Sequence, residues 1–516
     1  MASLRATRFA AAFRQAARPT TTTFTTSSRR FVATKAQLRA SANWITYATV
    51  AGAATVPAAL WILSDTESSK ALSTPDLEKD AGHVGTLRGP SPKEVTDILN
   101  AGAYTVPVNF AVRDITRYDG MQLASNSQCE DYFTHGTIAA PGTNGKGSGQ
   151  DGRWAAWGVF DGHAGWQTAE LLSRTLVPSV RDSLNAAAAA SPRLILKNEA
   201  VVQQAITRAF VDLDNSIINT AAEIAQLPDG SIHSSWALSF ADKINTMMPA
   251  WAGSCALLSL YDPSTRNLHV ACTGDSRAVL GRERESYKGG EQSIWEAVPL
   301  SVDQAGTNPD EVARLNAEHP GEEETLVRGG RVLGIMVSRA FGDCRWKWPT
   351  ELQESLFKRY GGAGPLQAPR YQVKTPPYLT AEPVVTTTQL EENRPAFMII
   401  ASDGLWDRLS SQEAVDLVGK WLASSGSDFG GKDGKGATTP SKRPARLGRD
   451  FDPIHYTTIQ DGNAAVHLAR NALGGRDEAT LAARLAYGPP FSRNIRDDIT
   501  VQVVFFNMDK ENLPKA

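Results

Sequence analysis

The chain has 516 residues, with 53 Lys+Arg against 55 Asp+Glu and a formal net charge of −2. An apolar share of 41% and a charged share of 21% are those of a globular protein and exclude a disordered or fibrous chain. Near-neutrality excludes a nucleic-acid footprint spread over the whole chain, and four Cys without a C-x-x-C pair exclude a disulfide scaffold, leaving buried or reduced thiols.

The charge is uneven. Residues 1–64 hold eight basic residues, from Arg5 to Arg39, and no Asp or Glu. Together with Ala and the Thr/Ser run Thr20–Ser28, this reads as an organellar transit peptide over residues 1–43. A basic arm that contacts nucleic acid or membrane is the alternative. Without those eight residues, positions 65–516 carry 45 basic against 55 acidic side chains, a net charge of −10. A cationic address precedes an acidic domain.

Trp44–Leu63 reads WITYATVAGAATVPAALWIL, without a formal charge. Twenty helical residues at about 1.5 Å each would cross the roughly 30 Å hydrocarbon layer, and Trp44, Tyr47 and Trp61 stand near the ends, where interfacial aromatics belong. Gly52 and Pro57 speak for the other readings, a second leader segment or a buried helix. Residues 64–103, with Pro75, Pro90 and Pro92, read as a polar tether. A globular domain is expected over 104–507 and a tail over 508–516. Two surface loops, expected to be mobile, interrupt the domain at 136–152 and 424–449. The first contains Gly145-Lys146 but lacks the Ser/Thr and the earlier Gly of a phosphate-binding loop.

Within the domain, Val201–Leu227 spaces Val202, Ile206, Phe210, Leu213 and Ile217 as one face of a helix. Asn308-Pro309-Asp310-Glu311 opens another. Ser410 to Glu413 forms a capping box, and Asn463 caps Ala464–Leu473 before Gly474-Gly475. Ala155–Phe160, Ala256–Tyr261, Leu268–Ala271, Phe397–Ile400 and Ile499–Phe506 read as strands. Strands and helices without regular βαβ alternation predict an α+β, layered architecture.

Carboxylates end these strands. Trp157–Phe160 runs into Asp161-Gly162-His163, Met398–Ile400 leads to Asp403-Gly404, and His269–Cys272 leads to Asp275. Asp497-Asp498 stands before Ile499–Phe506, and Glu130-Asp131 follows Ser125–Gln128. A single Asp-Gly is a common turn. Several acids, each at the end of an apolar strand, are costly to bury unless they are paired or bind a cation. Oxygen ligands from separate strands suit hard divalent cations, and two such ions can activate water and neutralise a transferring phosphoryl group. The residues alone therefore point to metal-assisted hydrolysis or phosphoryl transfer. Cys272 has Arg277 at the wrong spacing for C-x₅-R chemistry, and H-R-D, H-E-x-x-H and G-x-S-x-G are absent.

Glu130-Asp131, VFDGHAG (159–165), GDSRAVLG (274–281), VSRAFGD (337–343), ASDGLWD (401–407) and RDDIT (496–500) stand in the order seen in metal-dependent type 2C (PPM) protein Ser/Thr phosphatases, and the chain resembles that family over residues 104–507. LASNSQCED (123–131), Trp346-Lys347-Trp348 and TPPYLTAEP (375–383) resemble its pyruvate dehydrogenase phosphatase branch. The resemblance implies an αββα sandwich of two antiparallel sheets flanked by helices, with a centre for two Mg²⁺ or Mn²⁺ ions. In it Asp161 would bridge the metals, the Gly162 carbonyl would bind one of them, and Asp403 and Asp497 would hold the other. Glu130 and Asp131 would hold metal-bound waters. Asp275, with Asp407 nearby, would serve a third metal or stay structural. His163 would be the general acid, and a metal-bridging hydroxide would attack phosphorus. Many members carry a phosphate-clamping Arg where this chain has Asn126, a neutral donor. Arg277 and Arg339 are then the candidate cations.

The expected partner is a phosphoprotein, pyruvate dehydrogenase E1α in the branch it resembles, with mitochondrial location in the matrix or at the inner membrane and no nucleic-acid partner. Lys35 and Arg39 before the apolar stretch, with Asp65 and Glu67 after it, would place the domain of an anchored protein in the intermembrane space by the positive-inside tendency. That conflicts with a matrix substrate. The same chemistry on another mitochondrial or intermembrane-space phosphoprotein, and a catalytically silent phosphoprotein-binding regulator, are the alternatives.

Overall fold

A computed structural model describes residues 89–515 except 109–111, 144–148, 150, 191–197, 229–231, 234–235, 285–294, 362–370, 372 and 425–450. The leader, the apolar stretch 44–63 and nearly all of the loop 424–449 lie outside the described residues. Among the described residues no helix is long and apolar enough to cross a membrane.

Two antiparallel sheets form the centre. One joins β1 (Tyr104–Pro107), β2 (Ile115–Leu123), β11 (Ile499–Phe506), β10 (Ala396–Ala401), β7 (Arg277–Glu283) and β8 (Trp295–Pro299), side by side in that order. The other joins β9 (Val384–Gln389), β6 (Asn267–Thr273), β5 (Ala256–Asp262), β4 (Arg153–Phe160) and β3 (Tyr132–Ala139). Period-two alternation stacks them. Met398 and Ile400 of β10, Val504 of β11 and Ala155, Trp157 and Val159 of β4 share the core between the sheets. The opposite residues of the same strands serve other cores. Phe397 and Ile399 meet helices α4 (Ser411–Ala423) and α5 (Ala464–Leu473), whereas Trp154, Ala156 and Phe160 meet α2 (Gln167–Ala190) and α3 (Glu199–Gln226). Each fully buried Val, Ile or Phe contributes about 1.5–3 kcal/mol. The result is the expected αββα sandwich.

The predicted helices and strands appear with ends shifted by a few residues at most. The caps are the ones expected: Asn308 accepts from Asp310, Ser410 and Glu413 form a reciprocal box, and Asn463 accepts from Ala465 and Val466. The domain limits need correction at three places. Pro92–Asn100, read as tether, is a helix, α1, whose Val95 and Leu99 pack into the core beneath the six-stranded sheet. Pro92 sits in its first turn behind a Ser91/Glu94 capping box, so the proline starts a helix instead of marking a linker. At the other end, Leu513 is buried and the Pro514 carbonyl accepts from Arg117. Gly136–Ala139, read as loop, belong to β3.

A smaller core gathers Leu315, Leu326, Val332, Trp346 and Tyr378 with Cys255. Trp346 belongs to it while Trp348 packs into the helix-covered core, so Trp346-Lys347-Trp348 joins the two. All four cysteines are free; Cys255, Cys272 and Cys344 are buried and Cys129 is partly exposed.

Candidate metal centre

The two sheets deliver their acids to one place. Asp161 follows β4, Asp275 lies in the turn between β6 and β7, and Asp403 opens a single helical turn after β10. One carboxylate oxygen from each lies within 4.8 Å of the others. The Asp403 amide donates to Asp161 Oδ2 at 3.4 Å, and Cys255 Sγ donates to Asp275 Oδ1 at 3.2 Å. Beside them, Gly162 leaves no room for a side chain: a Cβ there would sit 2.3 Å from the Glu130 carbonyl oxygen. This glycine lets the Glu130-Asp131 segment close against the end of β4.

Glu130 and Asp131 border the cluster without joining it. Glu130 accepts from the Gly165 amide (2.8 Å) and from Asn126 Nδ2 (3.1 Å). Asp131 is buried and accepts from Ser402 Oγ at 2.7 Å, and the same hydroxyl accepts from the Thr500 amide at 3.0 Å. The adjacent acids Asp497 and Asp498 divide their work. Asp498 is 2% exposed, and its carboxylate accepts from Ser125 N (2.5 Å), Ser125 Oγ (2.8 Å), Asn126 N (3.3 Å) and Glu130 N (2.8 Å). It therefore ties down the Ser125–Glu130 segment. Asp497 accepts from its neighbour's amide and ion-pairs with Arg493, which places it outside the three-acid cluster. Asp407 also lies outside that group.

Both sequence candidates for a phosphate-binding cation are engaged elsewhere. Arg277 binds Asp303 at 2.5 and 2.9 Å and stacks over Trp406, and Arg339 binds the buried Glu311 at 2.7 and 3.0 Å. The guanidinium near the acids is that of Arg493, which sequence reasoning missed. Its charge acts on both Glu130 and Asp403, opposing the upward push of burial on each. Also missed was Asp343, whose Oδ2 lies 2.7 Å from His163 Nε2. The motif containing Asp343 was visible, but nothing in its spacing connects it to a histidine 180 positions earlier.

Electrostatics separate these carboxylates from ordinary surface acids. Burial, then Asp403, Asp131 and Asp275, push the Asp161 carboxyl well above its usual range. Burial followed by Asp275 and Asp407 takes Asp403 up to about 7, and burial followed by Asp498 takes Asp131 up to about 8. Asp275 rises chiefly through burial. Like charges held this close need a cation. An all-oxygen donor set on rigid strand ends fits a hard divalent ion. The residues present thus fit a metal centre.

The protein phosphatase 2C family model matches residues 124–429. A protein phosphatase 2C homolog of Schizosaccharomyces pombe is 39% identical over 419 residues, covering 80% of this chain and 85% of that relative. The chain belongs to the protein phosphatase 2C family. It is a phosphoprotein phosphatase of the metal-dependent class. Two further relatives carry narrower names. Pyruvate dehydrogenase (acetyl-transferring) phosphatase 1, mitochondrial, of Saccharomyces cerevisiae is 35% identical, covering 76% of this chain and 69% of its own. Pyruvate dehydrogenase (acetyl-transferring) phosphatase 2, mitochondrial, of Homo sapiens is 31% identical, covering 85% and 87%. The family assignment agrees with the resemblance read from the ordered motifs.

Proposed function

We propose that the chain is a mitochondrial Mg²⁺- or Mn²⁺-dependent phosphoserine/phosphothreonine phosphatase whose substrate is pyruvate dehydrogenase phosphorylated on its E1α subunit. The observation that carries the chemistry is the convergence of Asp161, Asp275 and Asp403 within 4.8 Å, with their carboxyls displaced upward by burial. The substrate and compartment follow the names of the two pyruvate dehydrogenase phosphatase relatives and the acid-free basic leader.

In this reading Asp161, Asp403, Asp497 and the Gly162 carbonyl would hold the metal pair. Asp497 would have to leave its pair with Arg493 to do so. Asp275, with Asp407 as a further carboxylate near Asp403, would serve a third ion. When bound, the metal pair supplies an activated water and neutralises the phosphoryl oxygens. The chain's own groups do the rest. Glu130 and Asp131 offer carboxylate oxygens that accept hydrogen bonds from water at the rim. Asn126, which donates to Glu130, has an amide that can instead donate to a phosphoryl oxygen. His163 donates a proton to the departing seryl or threonyl oxygen, which is too basic to leave as an anion.

Phosphate release from phosphorylated pyruvate dehydrogenase by the purified chain tests the proposal. Release that requires Mg²⁺ or Mn²⁺, stops with EDTA and is lost in Asp161→Asn is expected. Release unaffected by EDTA refutes the metal chemistry, and faster release from unrelated phosphoproteins refutes the substrate. Protease treatment of mitochondria with only the outer membrane opened checks the compartment, and digestion of the domain there refutes a matrix location.

A further inference from the structure

The contact between His163 and Asp343 is built by three two-residue strands. Gly253–Ser254 lies in the middle, pairing antiparallel with Gly162–His163 on one side and Phe341–Gly342 on the other. The two side chains meet across Gly253. A Cβ at that position would lie 2.0 Å from His163 Nε2 and 2.3 Å from Asp343 Oδ2. The hydrogen bond therefore exists only because residue 253 lacks a side chain.

The segment carrying Asp343 is held from behind. Asp214 of α3 accepts from the Gly342 amide (2.9 Å) and pairs with Lys347 Nζ (2.6 Å), and the ammonium also donates to the Ala340 carbonyl (2.8 Å). Both members of that pair are nearly removed from solvent, with side chains 5% and 8% exposed. Asp343 itself takes a left-handed backbone conformation (φ 51°), a strained state for a residue other than glycine, and its amide donates to the Ala252 carbonyl. It is fully buried, yet its second carboxylate oxygen, Oδ1, has no hydrogen-bond partner among the described residues. A carboxylate kept only for packing would have both oxygens satisfied, since an orphaned buried acceptor costs about 1–3 kcal/mol. Strain and an unsatisfied oxygen are tolerated here for the sake of one bond to one imidazole nitrogen.

We propose that Asp343 is a positioning residue for His163: it accepts the Nε2 proton, fixes the ring's tautomer and orientation, and leaves Nδ1 as the nitrogen that passes a proton to the leaving oxygen. The inference rests on the phosphatase reading above and on His163 acting as its proton donor. Gly253 and the Asp214–Lys347 pair are the supports that make the arrangement rigid.

Two variants separate positioning from a merely structural role. Asp343→Asn keeps shape, and Asn tolerates the left-handed backbone. Gly253→Ala leaves both partners intact but forces them apart, so it carries the test if Asp343→Asn does not fold. A phosphoserine peptide, whose alkoxide leaves poorly, needs the proton; p-nitrophenyl phosphate, whose phenolate leaves readily, does not. In each folded variant kcat on the peptide should fall by about 10²-fold with KM little changed, while kcat on p-nitrophenyl phosphate falls by less than about threefold. A separate readout is the ¹⁵N spectrum of the histidine-labelled, metal-free chain. Wild type should show His163 protonated on Nε2, and both variants should show mixed tautomers. Equal losses on the two substrates, an unchanged kcat on the peptide, or an unchanged tautomer in the variants overturns the proposal. If wild type itself releases no phosphate from either substrate, the phosphatase reading fails, and the tautomer comparison still decides whether Asp343 orients the ring.

Discussion

Neutralising Asp403 should make the metal-free protein more stable while ending its response to metal. Its carboxyl is carried from about 3.8 to about 7 by burial, with Asp275 and Asp407 adding repulsion. A folded-state value above the unfolded one means that the folded chain holds this proton more tightly. That contribution to stability is complete below about pH 3.8 and is lost as pH rises through 7. At pH 7.5 the ionised group then disfavours folding by on the order of 4 kcal/mol relative to its protonated form. Asn has the same shape without the charge, so Asp403→Asn should recover roughly 2–4 kcal/mol in EDTA. Urea unfolding at pH 7.5 reads the difference as a higher midpoint at unchanged slope. Adding Mg²⁺ or Mn²⁺ should raise the wild-type midpoint, because a ligand of the native state stabilises it by mass action, and should leave the variant nearly unmoved. A variant less stable than wild type in EDTA refutes the electrostatic reasoning. Equal metal stabilisation of both proteins refutes Asp403 as a ligand.

Two other sites give independent tests. Asp498→Ala removes the acceptor for four donors on residues 125, 126 and 130, so about 3 kcal/mol should be lost in urea unfolding, together with faster proteolysis near residues 124–131; a loss under about 1 kcal/mol refutes its role as organiser of that segment. His467, buried in α5 with Nε2 donating to the Leu417 carbonyl and Nδ1 accepting from Asn471, is pushed down to about 4 by burial. Its neutral form supports the fold above about pH 6.5, and that support is lost as pH falls toward 4. Between pH 7 and 5 wild type should lose about 2 kcal/mol more than His467→Gln, and equal slopes refute the assignment.

The architecture was legible because local rules agreed with one another. Alternation in Phe397–Ile400 and Ile499–Phe506, and caps at Asn308, Ser410 and Asn463, describe surfaces the chain must bury whatever its topology. Ser91 and Glu94 carried the same kind of signal for α1, but two prolines beside them read as a linker, and only Val95 and Leu99 packing beneath the sheet decides the matter. The acids were legible as strand ends but not as partners. Asp497 and Asp498 are neighbours in sequence, and sequence alone does not show that the second of them meets the Ser125–Glu130 segment while the first meets Arg493. With Asn126 in place of a clamping Arg, the sequence offers Arg277 and Arg339 as phosphate-binding cations, and both are engaged by carboxylates of their own.

These failures share a cause. A hydrogen bond between residues 180 positions apart leaves no periodicity and no spacing, because it is created by topology. Strand ends carrying uncompensated acids conflict with the stability of the fold that holds them, and that conflict is itself readable. Local agreement identifies the scaffold, and the places where burial and charge disagree identify the site. Asp161, Asp275 and Asp403 were visible from sequence on that ground, whereas Asp343, hidden behind Gly253, required the three-strand contact to reveal it.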